Sequence, residues 1–208
     1  MREKNTLKDT VYQSILNGIL SGEFKQSQIL TEKELVEKYS CSKSPVREAL
    51  TALCNERVLL SHPRYGYEIV RLTKEDVDDI MEYRLLLESA LLKEYYRSLS
   101  EHQFQQLQIL DDVCNNTLNS DLWSHWDANT RFHLALASFS NNRYITSQLG
   151  TAMATLKRAY AQFYWHEWSV RPDHSDVRFH EKLICHLKEK DIEQSLSCLK
   201  DDLSDFCL

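Results

Sequence analysis

The sequence predicts a mostly α-helical protein in two parts, a small winged helix-turn-helix head followed by an all-helical bundle. Three observations predict it. The 208 residues include only four Gly and three Pro, too little turn chemistry for a β-sandwich or an α/β nucleotide fold. Apolar residues recur at helical spacing through most of the chain. The period breaks once, at "VLLSHPRYGYEIVRL", where short apolar runs flank a tip containing Pro63 and Gly66.

Taking the elements in order, "LKDTVYQSILNGILSGEF" steps Leu7, Val11, Ile15 and Ile19 by four, with Tyr12, Leu16 and Leu20 alongside. That is one apolar helical stripe, and Gly22 is its C-terminal stop. In "LTEKELVEKYS", Thr31 followed by Glu34 is a capping-box pattern, and Leu35, Val36 and Tyr39 give a short second helix its apolar side. "SCSKS" interrupts, and Pro45 occupies the first turn of a third helix whose buried stripe is Val46, Ala49, Leu50 and Leu53. Leu59 and Leu60 on one side, with Tyr67, Ile69 and Leu72 on the other, then read as a β-hairpin.

Three helices and a hairpin in residues 1–72 make a winged helix-turn-helix, whose second helix of the pair enters the DNA major groove by its N-terminal end. Ser42 and Ser44 are placed to bond phosphates, and Lys43 and Arg47 to reach phosphates or guanine edges. The charge is compatible. Residues 1–72 hold 11 Lys and Arg against 9 Asp and Glu, or +2, while the remainder holds 14 against 22, or −8, giving the whole-chain −6. A weakly basic head on an acidic body fits DNA contact confined to one face of the head.

At "SKSPVREAL", residues 42–50, the chain resembles the GntR family of bacterial transcription regulators, whose signature there runs S-R-[ST]-P-V-R-E-A-L. The resemblance implies a DNA contact at Lys33 and a wing at "HPRYGYEIV", with Arg64, Tyr65 and Gly66 at its tip. Lys43 stands in place of the family's arginine and loses the planar fork that grips guanine. Tyr65 takes the usual wing arginine's position, and Arg57 stands where a glycine is common after the recognition helix.

From Thr73 the pattern is helical to the end. "TKEDVDDIMEYRLLLESALLKEYY" opens with a Thr-x-x-Asp cap and carries Val77, Ile80, Met81, Leu85 and Leu86. Its Arg84 and Glu88 match the R-x-x-x-E segment that opens the FCD-type effector domain of the FadR subfamily; as bare sequence they also read as a surface i,i+4 pair. "ANTRFHLALASFSNN" resembles a second segment of that domain at Asn129, Phe132, His133 and Asn142. "FHEKLICHLKEKD" resembles a third at His180, Leu183, Leu187 and Asp191. Residues 73–208 are thus expected to form an effector-binding and dimerisation domain.

The resemblance implies a divalent metal (zinc, nickel or manganese) held by an acid, a His four residues on, and two further His. Here the matching set is Asn129, His133, His180 and Asp202, departing from the usual ligands at its first and last members. His174, Asp176 and His186 are reserves, although His186 falls near the opposite side of the helix from His180. The implied effector is a small carboxylate that ligates the metal and pairs with Arg84 or Arg158. Tyr160, Phe163, Tyr164, Trp165 and Trp168 are either core and dimer packing or a wall of the effector pocket.

The function expected is a ligand-responsive homodimer, a repressor, bound to a pseudo-palindromic double-stranded operator in the cytoplasm. The alternatives are a dimeric DNA-binding regulator with a metal-free effector pocket or no effector, and, remotely, a metal-dependent hydrolase. No nucleophile or general base accompanies the histidines in the sequence, so no catalytic residue is assigned. The charged N-terminus lacks the apolar core of a signal peptide, and no apolar run approaches membrane-spanning length. Six Cys without C-x-x-C spacing read as reduced thiols.

Overall fold

The computed structural model describes residues 6–117, 121–164 and 177–204. It divides the chain into two compact units, residues 1–73 with 158–166, and residues 74–157 with 167–208.

The first unit opens with α1 (Leu7–Leu20), started by a reciprocal cap in which Thr6 Oγ1 accepts from the Asp9 amide and the Asp9 carboxylate accepts from the Thr6 amide. Strand β1 (Ile29–Leu30) follows, then α2 (Glu32–Tyr39). The Thr31–Glu34 capping box forms there as the sequence predicts, with the Glu34 amide 3.3 Å from Thr31 Oγ1 and the Thr31 amide 3.0 Å from the Glu34 carboxylate. Helix α3 (Lys43–Asn55) has Ser42 as its N-cap, so Pro45 lies in the first turn but two residues past its start. The wing is β2 (Leu59–His62) and β3 (Gly66–Ile69), antiparallel, with His62 opposite Gly66. Strand β1 was not legible in the sequence; it pairs with β3 in the order β1-β3-β2, with Leu30 opposite Tyr67.

Val11, Ile15 and Ile19 of α1, Leu35 of α2, Val46, Ala49, Leu50 and Leu53 of α3, and Leu59 and Ile69 of the wing share one buried core. Each large aliphatic chain so buried contributes about 1.5–3 kcal/mol of transfer free energy. Leu7, the first member of the expected stripe, is exposed.

A chain with four glycines must turn on other residues. Arg57 does so: at φ 55° it follows α3, its amide donates to the Cys54 carbonyl and the Val58 amide to that of Leu53. That is the Schellman closure, made by arginine where glycine is usual. Ser40, Arg64, Asn141 and Lys190 also adopt positive φ. Gly66 is different, because at φ 133° an added Cβ would stand 2.7 Å from the Leu30 carbonyl oxygen and 2.8 Å from Ile29 Cγ2. Gly66→Ala is therefore expected to destabilise the protein by about 1–3 kcal/mol. An unchanged urea midpoint would show that β1 can move aside.

The second unit contains α4 (Lys74–Tyr95), a 3-10 turn (Tyr96–Ser98), α5 (Glu101–Thr117), α6 (Leu122–Ser138), most of α7 (Arg143–Tyr164), α8 (Val177–Lys188) and α9 (Ile192–Ser204). The end of α7 belongs with the first unit, where Gln162 accepts from the Leu72 amide at 3.0 Å and donates to the Val70 carbonyl at 2.8 Å. The buried stripe of α4 runs Val77, Met81, Arg84, Glu88, Leu91 and Tyr95, steps of three and four. This corrects the sequence reading in two respects. Leu86 is 66% exposed, and Arg84 and Glu88 are core residues, not a surface pair. Among the described residues no helix is long and apolar enough to cross a membrane, and the described cysteines are free thiols.

Candidate nucleic-acid interface and candidate metal centre

The start of α3 is an exposed polar edge. Ser42, its N-cap, makes no side-chain bond to the helix, so its hydroxyl and the first-turn amides remain available to an anion. Lys43 is exposed beside it. Ser44 Oγ donates to Glu48 at 2.8 Å, one turn on. Arg47 is held in a bidentate pair with Glu32 of α2, Nε to Oε1 and Nη2 to Oε2, both 2.9 Å. The Tyr67 hydroxyl of β3 reaches the same carboxylate at 3.3 Å. Hydrogen bonding to Arg47 holds the Glu32 carboxyl below its ordinary range. The sequence reading missed Glu32, which orients the arginine and neutralises part of its charge. Lys33 is exposed on α2, 4.0 Å from Glu37. Arg64, at φ 65°, and the 68%-exposed Tyr65 form the wing tip with Gly66.

In the second unit, four helices deliver buried polar side chains to one place. His133 comes from α6, His180 from α8 and Asp202 from α9, each 1% exposed or less, and their ligating atoms lie within 4.8 Å of one another. His133 Nε2 is 3.1 Å from Asp202 Oδ2, and His180 Nε2 is 3.6 Å from Asp202 Oδ1. Glu88 of α4 closes the other side, with Oε2 2.7 Å from His133 Nδ1 and Oε1 accepting from Arg84 Nε at 2.9 Å. Phe132 stacks on the His180 ring with centroids 3.7 Å apart, fixing its plane. Asn129, one turn before His133 on α6, is also buried.

Burial opposes the imidazolium of His133, but Glu88 and Asp202 outweigh it and push its pKa up to about 9. Burial likewise opposes ionisation of Glu88, and the Arg84 guanidinium and His133 together hold its carboxyl below the usual range.

The donor set suits a dication. Both ring nitrogens of His180 and Oδ1 of Asp202 are buried without a hydrogen-bond partner, a costly state that a bound ion relieves. Two imidazoles and a carboxylate are zinc, nickel or manganese ligands, and their spacing is close to what one ion with bonds of about 2.0–2.2 Å spans.

Other sequence candidates lie elsewhere. Arg158 is buried with the first unit, with Glu56 and Tyr12 as neighbours. His186 stands 3.6 Å from Glu189, outside the cluster. Tyr160 is buried and Phe163 39% exposed. His174, Asp176, Trp165 and Trp168 lie outside the described residues, as does the side chain of Tyr164.

A two-helix reading unit with a hairpin wing, joined in one chain to a helical unit with a polar interior, is the build of a DNA-binding regulator. Residues 7–69 match the bacterial regulatory proteins of the gntR family, and residues 79–205 match the FCD domain. The chain belongs to the GntR family of transcription regulators, with an FCD domain behind its helix-turn-helix; this is a family of regulators, not enzymes.

The helix-turn-helix regulator YdhC of Bacillus subtilis is 29% identical over 146 residues, 66% of this chain and 62% of that protein. The gluconate operon transcriptional repressor of Bacillus licheniformis is 27% identical over 130 residues, 61% of this chain and 52% of that protein. The matches thus span between half and two thirds of these relatives' length. Among solved structures, Escherichia coli McbR/YncC superposes with a TM-score of 0.75 at 21% identity, covering 96% of this chain and 94% of that one. Lar of Listeria monocytogenes does so at 0.72 and 19%, covering 99% and 97%. At those identities the likeness is one of fold.

Proposed function

We propose that this protein is a homodimeric repressor whose head, residues 1–72, binds a pseudo-palindromic operator, and whose residues 73–208 dimerise and hold a divalent metal together with a small carboxylate effector. Ser42 and Ser44 bond phosphates, Lys43 and Arg47 reach into the major groove, and Lys33, Arg64, Tyr65 and Gly66 flank them on α2 and the wing. Asn129, His133, His180 and Asp202 hold the metal. The effector's carboxylate completes the ion's coordination and pairs with Arg84. A ligand that binds one arrangement of the two heads better shifts operator affinity by that difference. A gluconate operon repressor among the relatives supports the repressor sense.

The observation that carries this reading is the convergence of His133, His180 and Asp202 from three separate helices on one buried point. It is tested by elemental analysis of untagged protein purified without chelator, followed by operator binding with and without small carboxylates. About one equivalent of metal per chain and an effector-dependent change in affinity are expected. Protein that stays metal-free after metal is offered would refute the centre.

A second reading, a metal-free pocket for an organic anion, is favoured by one observation. Arg84 Nη2 is buried without a hydrogen-bond partner, as a guanidinium awaiting a carboxylate would be. Metal-free protein that still responds to a carboxylate would select this reading. Family membership sets the hydrolase alternative aside.

On the DNA side, Arg47→Ala should weaken specific binding by about 1–3 kcal/mol while leaving weak, salt-dependent association with unrelated duplexes. Operator affinity unchanged in that variant would remove Arg47 from the interface.

A further inference from the structure

The two histidines of the cluster are held alike. Each turns Nε2 toward Asp202 and Nδ1 toward a second buried carboxylate: Glu88 for His133 at 2.7 Å, and Asp111 of α5 for His180 at 3.6 Å. Asp111 is 2% exposed, and its Oδ1 and the His180 Nδ1 have no other partner. These two buried polar atoms, one a nitrogen that can carry a proton and the other an acceptor, face one another at 3.6 Å, a few tenths of an ångström beyond hydrogen-bond reach. Glu88 is within that reach of its histidine. Its other oxygen is tied to Arg84 at 2.9 Å, so the carboxylate cannot swing away from the imidazole without breaking a second bond.

We infer that Glu88 and Asp111 are positioning residues of the metal centre: they accept the Nδ1 protons of His133 and His180 and so leave both Nε2 lone pairs facing the point beside Asp202. The inference rests on the metal reading of the cluster and deepens it. A neutral imidazole has one protonated nitrogen and one ligating nitrogen, and the carboxylate decides which is which. Without Glu88 or Asp111 the ring is free to turn its proton toward the ion. Neither carboxylate lies next to the histidine it serves in sequence: 45 residues separate Glu88 from His133. The arrangement exists only in the fold. It also bonds Glu88 both to the proposed effector partner, Arg84, and to a proposed metal ligand.

The test uses the full chain loaded with cobalt(II), which serves as ligand probe and paramagnetic reporter. Wild type should show two slowly exchanging, strongly shifted imidazole N–H proton resonances, one from each Nδ1–H. Glu88→Met and Asp111→Leu, which offer no acceptor, should each weaken cobalt binding about 10–100-fold, and each should lose the slow exchange of its own resonance while keeping the other. Glu88→Asp, which restores a carboxylate, should recover part of the affinity. A purely structural role would lower the melting temperature of the metal-free protein while leaving the two resonances and the affinity of the folded protein as they were, and that result overturns the inference. Should the variants fail to fold, wild type decides alone, because fast solvent exchange of both N–H protons refutes the held geometry. Wild type that binds no cobalt overturns the metal reading and this inference together, whereas normal cobalt binding with unaltered variants overturns only the inference.

Discussion

An Arg84→Met variant is expected to unfold about 3–5 kcal/mol more easily than wild type in urea. Arg84 and Glu88 are each 2% exposed, and their 2.9 Å contact lies inside the helical unit. Methionine fills much of the arginine stem's volume, so little of the cost comes from a cavity. It comes from leaving the Glu88 carboxylate desolvated with only His133 to balance it. Pairing the change with Glu88→Gln should recover most of the loss, because a neutral amide needs no counter-charge and its oxygen still accepts from the His133 ring. The comparison separates a buried pair from the surface pair that an i,i+4 spacing suggests, which would cost a few tenths of a kcal/mol. A single-variant loss below about 1 kcal/mol would show that water reaches Glu88.

His133→Ala is expected to abolish stoichiometric metal binding while leaving operator binding by the full chain detectable. The side chain supplies one of three converging candidate ligands, and its removal also strips Glu88 and Asp202 of the imidazole between them. The core of the DNA-reading unit is built from its own residues, Val11 to Ile69, so the fold of the head does not depend on that ring. Elemental analysis and salt-dependent binding to an operator duplex check the two halves of the prediction. Retained stoichiometric metal would refute the site, and loss of all DNA binding would show that the centre is needed for the heads to work at all.

Much of the head was readable in one dimension because its signals are local. The Thr31–Glu34 box, the first-turn Pro45 and the Pro63–Gly66 tip each act within a few residues. Strand β1 escaped because two residues, Ile29 and Leu30, have no period to detect; only β3 across the sheet makes them a strand. Glu32 escaped for the same reason, since its partner Arg47 is 15 residues away.

In the bundle the polar centre was half legible. His133, His180 and Asp202 were reached through resemblance, but Glu88 and Asp111 were not placed in the site. Their signal was present as charged residues sitting in buried steps: Arg84 and Glu88 between Met81 and Leu91, and Asp111 between Leu107 and Cys114. A carboxylate in a core position at helical spacing needs a buried polar or charged partner. The spacing shows that a partner must exist; only the packed fold shows which one.

The polar centre also changes what the composition means. Among the described residues of the centre, Glu88, Asp111 and Asp202 are three buried carboxylates against the guanidinium of Arg84, so with both imidazoles neutral, as metal ligation would require, the formal charge there is −2. Part of the −8 carried by residues 73–208 is therefore not a solvated acidic surface. It is an acidic interior, and a dication is the counter-charge that would bring it to zero.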